Sequence, residues 1–347
     1  MNRFIFIRTD ANTKIGSGHL SRCLILAEEL KKRNNRVIFL LHKTDKPVLK
    51  QIEEKGFKFI FLRKESAEDI IEVIGHYKSD LKTLLFDTDL PIYFDPEAQL
   101  KFINHSCKVV FFTFWNNYQY LAHIIINQNP LSLGQEYHTA DYTKKLLGPD
   151  YMIFNDRIIE LSQTVNIQSF SYPSTILISF GGSDLPDRTL KTIKAIQLLD
   201  LSIKKINIII GSLYPHEETL LKYLSGFRYP FNVFKQTNKM AEIMSESDMA
   251  ICAGGLTLWE LALFNIPTAI ITYTKRENLT ADFLHRMGLG YHLGSIKSLS
   301  CEELSQKITK FVGSKEARET ISRLKEQINP NGKTIIANEI NNLNLHD

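Results

Sequence analysis

Phe4-Ile5-Phe6-Ile7-Arg8, a short polar loop, and then Lys14-Ile15-Gly16-Ser17-Gly18-His19-Leu20 decide the fold. The apolar run reads as a buried strand. From His19 to residue 33 the pattern is helical, with Leu20, Leu24, Ala27 and Leu30 at helical spacing. A strand, a glycine turn and a helix in that order open a parallel sheet covered by helices.

Outward from this unit the alternation continues. Strands are expected at 37–41, 59–62, 83–86, 109–112 and 124–126, with helices at 47–55, 67–77 and 96–105 between them. The strands are nearly continuous apolar runs, as central parallel strands buried on both faces require. The pattern lapses into polar residues over about 163–173, ending in Ser171-Tyr172-Pro173, and then restarts. Strands at 175–180, 206–210, 231–234, 249–252 and 268–271 alternate with helices at 189–199, 216–224, 240–246, 256–264 and 278–287. The expected organisation is a first domain over 1–162, a linker over 163–173, a second domain over 174–330 and a helical tail over 331–347. Two α/β halves joined by one linker are expected to face each other across a ligand cleft at the carboxyl ends of their sheets.

Composition narrows the function classes. The 347 residues exceed the size at which one core usually keeps growing, and 44% hydrophobic with 23% charged residues is ordinary for a globular protein. A formal net charge of +4 is small for this length and argues against nucleic acid as a partner. Cys23, Cys107, Cys252 and Cys301 are scattered without zinc spacing and read as reduced thiols of a cytoplasmic protein. No apolar run approaches the ~20 residues of a spanning helix, so membrane insertion is not expected. No carboxylate cluster has a divalent-ion pattern, and neither a metal nor a cofactor is expected.

The chemistry concentrates at three glycine turns. Gly16 and Gly18 let backbone approach a ligand, and the helix behind them offers free N–H groups. The third glycine of a dinucleotide fingerprint is absent, since Arg22 and Cys23 stand in its place, and no acid ends the second strand. His19 sits at the helix start. The positive helix end disfavours its protonated form and leaves an imidazole able to accept a proton; the alternative is that it caps the helix or lines a wall. Gly181-Gly182-Ser183 follows a strand, so its N–H groups face a diphosphate or simply make a tight turn, with Asp184 as a turn or capping residue. Gly254-Gly255-Leu256-Thr257 joins strand to helix as a second diphosphate site. Glu260 lies one and a half turns in, placed either to accept two ribose hydroxyls or to stabilise the helix N-terminus. Asn278 contacts a sugar or caps its helix.

With those segments in place, the chain resembles the bacterial nucleotide-sugar hydrolases of the pseudaminic acid pathway and their relatives in spore-coat polysaccharide synthesis. The resemblance runs through Arg8-Thr9-Asp10, 16–24, Asn127-Gln128-Asn129, 147–151, 179–184 and 253–260, in order along nearly the whole chain. That family is similar in fold to the lipid-II glycosyltransferases, so the resemblance implies two Rossmann-like domains of the GT-B type. It implies hydrolysis of UDP-2,4-diacetamido-2,4,6-trideoxy-β-L-altropyranose to free sugar and UDP, with His19 as general base. The nucleotide side is then Gly181, Gly182, Ser183, Gly254, Gly255, Leu256, Thr257 and Glu260, and the sugar side Asp10, Gly16, Gly18, Arg22 and Asn278. The chain departs from the family pattern at Leu279, at Thr113-Phe114-Trp115-Asn116 and at Met152-Ile153-Phe154-Asn155, which bears on the sugar more than on the reaction class. The competing readings are a GT-B glycosyltransferase using the same histidine on an acceptor hydroxyl, and a nucleotide-sugar binding protein without catalysis.

Overall fold

The computed structural model describes residues 3–79, 81–164 and 174–343. The chain divides into two compact units. The first takes the chain through Asn12, then His19–Phe154, and everything from Asn329 on; the second takes Thr13–Gly18 and Asn155–Ile328.

In the first unit the strands are β1 (Arg3–Thr9), β2 (Asn35–Leu41), β3 (Lys58–Phe61), β4 (Leu81–Asp87), β5 (Cys107–Phe112), β6 (Gln119–Tyr120), β7 (Ile124–Asn127), β8 (His138–Thr139) and β9 (Lys144–Leu147). Seven of them form one sheet in the order β3-β2-β1-β4-β5-β7-β9, all neighbours parallel, while β6 and β8 make a separate short pair. Helices α1 (Gly18–Lys32), α2 (Lys46–Glu54), α3 (Ala67–Gly75), α4 (Pro91–Phe94) and α5 (Pro96–Asn104) connect them. The expected apolar stripe of α1 is buried at Leu20, Leu24, Ala27 and Leu30. An aromatic core of Phe86, Phe94, Phe102 and Phe111 lies fully buried on one face of the sheet. Burial of such large side chains supplies about 1.5–3 kcal/mol each.

The main span of the second unit begins with α6 (Asp156–Thr164), most of which falls within the first domain expected over 1–162. Arg157 of α6 pairs with Glu242 at 2.8 Å, on α9 (Met240–Ser245). Of the expected linker, 165–173 lie outside the described residues. The second sheet comprises β10 (Thr175–Ser179), β11 (Lys205–Ile210), β12 (Phe231–Lys235), β13 (Met249–Cys252), β14 (Thr268–Thr272) and β15 (Tyr291–Ser295), in the order β12-β11-β10-β13-β14-β15 and again parallel. Its remaining helices are α7 (Arg188–Gln197), α8 (Glu217–Leu224), α10 (Leu256–Leu263), α11 (Lys275–Arg286), α12 (Cys301–Val312) and α13 (Lys315–Glu326). At Gly211, which follows β11, a Cβ would lie 2.1 Å from the Gly182 carbonyl oxygen, so the strand ends of β10 and β11 approach there only as glycine allows.

The last helix, α14 (Gly332–Asn342), belongs to the first unit. Arg33 donates to Asn338 at 3.0 Å, Lys144 pairs with Glu339 at 2.5 Å, and Asn35 donates to Asn341 at 2.9 Å. Among the described residues no helix is long and apolar enough to cross a membrane.

Candidate functional site

Both sheets reverse their winding between their two central strands: β1 and β4 in the first unit, β10 and β13 in the second. Connections leave such a point in opposite directions, and the carboxyl ends of the two strands leave a crevice. Each glycine turn singled out above follows one of these strands.

After β1, Gly16 has φ of 82° and Gly18 is the first residue of α1, which puts His19 in the opening turn. Its Nδ1 lies 2.5 Å from Oδ1 of Asp87, the last residue of β4, whose register partner on β1 is Thr9. One helical turn past His19, Arg22 grips the same carboxylate with two parallel bonds, Nε to Oδ2 and Nη2 to Oδ1, both 2.5 Å. Cys23 donates to Oδ2 at 3.3 Å, Gln128 accepts from Arg22 at 3.4 Å, and the Phe112 ring carries the guanidinium at 4.8 Å. Asp87 is fully buried, which opposes its ionisation, but Arg22 and then His19 outweigh burial and hold the carboxyl far below the usual carboxylate range. A permanent carboxylate against Nδ1 keeps the ring hydrogen there. Nε2 is left as the accepting nitrogen, with Asp89 Oδ2 3.8 Å away. The tautomer of His19 is therefore set by this carboxylate, a partner the sequence reading, which looked only to the helix end, did not include.

Two residues assigned to the sugar side prove to be engaged within the protein. Asp10 is buried; it pairs with Arg8 at 2.7 Å and accepts from the amides of His42 and Lys43 at 2.7 and 2.9 Å, tying the end of β1 to the loop after β2. Arg22 is committed to Asp87 and holds His19 through it.

In the second unit, Gly181 has φ of 84°. Asp184 is indeed a turn residue: it accepts from the Thr189 amide and hydroxyl at 2.8 and 2.7 Å and pairs with Arg188 at 3.0 Å. Arg188 in turn reaches Glu277 at 3.0 Å, so the 181–184 turn is locked to the start of α11. After β13, Gly255 takes the N-cap position of α10 with no side-chain cap, whereas Asp187, Thr274, Ser300 and Ser314 cap α7, α11, α12 and α13. Among the described residues the first amides of α10, at Leu256 and Thr257, thus have no side-chain capping acceptor, the arrangement that receives an anion. Glu260 is half-buried, and burial pushes its carboxyl up to about 7. A Cβ on Gly254 would sit 3.8 Å from the Glu277 carbonyl, so this turn adjoins the first turn of α11. Asn278 lies inside α11 and is not its cap, because Thr274 and Glu277 form a capping box; its side chain meets the Thr272 hydroxyl at the end of β14. Leu279 beside it is exposed.

Asp87, which fixes His19, is absent from the site residues expected from the sequence. The available signal is an acid closing the run Thr83-Leu84-Leu85-Phe86, one position past the end of the strand expected over 83–86.

Residues 175–336 match the glycosyltransferase family 28 C-terminal domain. An uncharacterized protein of Methanocaldococcus jannaschii is 29% identical over 301 residues, covering 84% of this chain and only 60% of that protein. The spore coat polysaccharide biosynthesis protein SpsG of Bacillus subtilis is 25% identical, covering 89% of this chain and 88% of its own length. The UDP-2,4-diacetamido-2,4,6-trideoxy-β-L-altropyranose hydrolase of Campylobacter jejuni is 22% identical over 82% of this chain and 97% of its own. Among solved structures, MurG of Acinetobacter baumannii superposes with a TM-score of 0.66 at 15% identity, over 98% of this chain and 99% of that one.

Proposed function

We infer that this chain acts on a nucleotide sugar, because it is related to the hydrolase and spore-coat proteins it resembled in sequence and its fold is the GT-B type, built from two Rossmann-like units. From that premise we propose that it is a nucleotide-sugar hydrolase. It cleaves a UDP-linked diacetamido-trideoxy sugar to free sugar and UDP in the synthesis of a nonulosonic acid such as pseudaminic acid. The observation that carries this reading is the His19–Asp87–Arg22 constellation, an oriented imidazole with its Nε2 turned away from the carboxylate that fixes it. Water loses a proton to Nε2 and its oxygen bonds to the anomeric carbon. The bond from that carbon to the diphosphate oxygen breaks, and UDP takes the electron pair. Attack opposite the leaving group inverts the anomeric centre. General-base assistance of this kind is worth about 10²–10⁴ in rate. The amides opening α10 hold the departing diphosphate, and Glu260 accepts the ribose hydroxyls. In this reading the enzyme works in the cytoplasm.

The second reading, transfer to an acceptor hydroxyl, draws support from the family 28 match. Incubation with UDP-linked deoxyamino sugars in ¹⁸O-water separates the two. Release of UDP without acceptor, with label in the sugar, is expected; UDP release that needs an added acceptor would overturn hydrolysis in favour of transfer. His19→Asn is expected to abolish turnover while leaving UDP affinity within about twofold, and full activity in that variant would overturn the base assignment.

A further inference from the structure

Behind Asn278 the second unit holds a chain of polar groups that the proposed chemistry does not use. Thr272 Oγ1 contacts Asn278 Oδ1 on one side and lies 3.1 Å from His292 Nε2 on the other. His292 Nδ1 lies 2.8 Å from Asp282 Oδ1, on the same helix as Asn278. The histidine reaches Thr272 because β14 and β15 slip register between Ile270 and Ile271, with Gly294 at φ of 122°; the bulge turns His292 toward the strand end. Thr272 has one hydroxyl hydrogen to give, and the Gly294 carbonyl at 3.3 Å is its weakest acceptor.

We infer that His292 is a positioning residue which, through the Thr272 hydroxyl, sets whether Asn278 turns its N–H₂ or its C=O toward the sugar. This inference rests on the reading that Asn278 meets the sugar. With both ring nitrogens protonated, Nδ1–H donates to Asp282 and Nε2–H to Thr272. The hydroxyl then donates to Asn278 Oδ1, and the amide N–H₂ faces outward. When His292 is neutral, its hydrogen stays on Nδ1 against Asp282. Nε2 then accepts the Thr272 hydrogen, the Thr272 oxygen can only accept from Asn278, and the amide turns over to present Oδ1. An acetamido group carries both a C=O and an N–H, so the two states recognise opposite ends of it.

The groups bearing on His292 are Asp282 and His285 from α11, and Thr272 from β14, while α12 meets the strand through Phe311 against Tyr291 at 5.0 Å. Burial lowers the His292 proton affinity, with Asp282 opposing, so the turnover lies on the acid side of a histidine's ordinary range.

The test is a side-chain ¹⁵N NMR titration of the ligand-free protein labelled at asparagine and histidine. The Asn278 amide signals are expected to move with the same midpoint as the His292 ring nitrogens, and to lose that coupling in Thr272→Val while His292 still titrates. Asn278 signals that stay flat through the His292 midpoint, or coupling that survives in Thr272→Val, would overturn the relay. Kinetics on whichever UDP-linked deoxyamino sugar is turned over in the ¹⁸O-water incubation test the sugar contact separately. Asn278→Ala is expected to raise KM about fivefold to tenfold with kcat nearly unchanged, the size of one lost hydrogen bond. His292→Gln keeps a donor at the Nε2 position and is expected to flatten the pH dependence of KM between about pH 5 and 8. An unchanged KM in Asn278→Ala would remove the sugar contact, and with it the functional half of the inference, even with the relay intact.

Discussion

The two strand-end sites solve opposite problems. In the first unit, Asp87 is saturated: Arg22 twice, His19 and Cys23 all converge on one buried carboxylate, and the imidazole is oriented before any ligand arrives. In the second unit, α10 begins without a side-chain cap, and among the described residues no hydrogen bond or ion pair engages the Glu260 carboxyl. A group that must act on the reacting bond benefits from being fixed in advance, since a misplaced base loses rate steeply. A group that only has to bind gains by being left incomplete, because the ligand then supplies the missing partners. The contrast separates preorganisation from completion within one fold.

The strongest way to break it is Asp87→Asn. Removing the charge leaves Arg22 partly buried beside a neutral amide and frees the His19 tautomer. We expect kcat to fall by about 10²–10⁴ and stability by about 3 kcal/mol, read from turnover and urea denaturation. Adding Arg22→Leu should recover part of the stability and none of the rate; recovery of rate would mean that Asp87 matters only as a counter-ion.

The second site should respond to pH through Glu260. The Glu260 carboxyl is pushed up to about 7 by burial, above its unfolded value, so the folded protein holds that proton more tightly than the unfolded chain. The stability contributed by the neutral acid is fully present below the unfolded value and is lost as pH rises through about 7. UDP affinity should run the other way, rising through that range as the carboxylate becomes available to hydroxyl donors. Glu260→Gln should weaken UDP by about tenfold at high pH and leave its affinity flat, as calorimetry across the range would show. A sloping profile in the Gln variant would assign the titration elsewhere.

The smallest effect sharpens the comparison most. A Cβ at Gly255 meets nothing within 4 Å, and its backbone, φ −100°, suits any residue. Gly255→Ser would complete the α10 cap from within the chain. A gain of a few tenths of a kcal/mol in the ligand-free protein is expected together with weaker UDP binding. Unchanged UDP affinity would mean that the open helix end is not where the diphosphate sits.

The sheets were legible because parallel strands buried on both faces leave apolar runs that need no partner to be seen, as at Phe4–Ile7 and 249–252. The glycine turns were legible for a related reason: a strand end, a turn and a helix start are contiguous in the chain. Asp87 was not, because its meaning depends on His19, separated by 68 positions and brought near only by the β1–β4 pairing. Arg22 and Asp10 were visible as residues but not as roles, since a charged side chain near a strand end serves a ligand or a neighbouring charge with the same local pattern. Strand β15 escaped for a different reason: Tyr291-His292-Leu293-Gly294-Ser295 alternates weakly and carries a bulge, so no period announces it.

The return of α14 has a consequence for how the molecule comes into being. The chain leaves the first unit at Phe154 and does not re-enter it until Asn329. A Cβ on Gly332 would stand 2.2 Å from the Met152 carbonyl oxygen, so the returning helix seats directly on the backbone laid down just before the departure. During synthesis, at about 5–20 residues per second, the first sheet must therefore wait on the order of ten seconds or more for its last helix. Truncation anywhere within Asn155–Ile328 would leave the first unit without the helix at Gly332–Asn342, so its early strands close only after the whole of that span has been made.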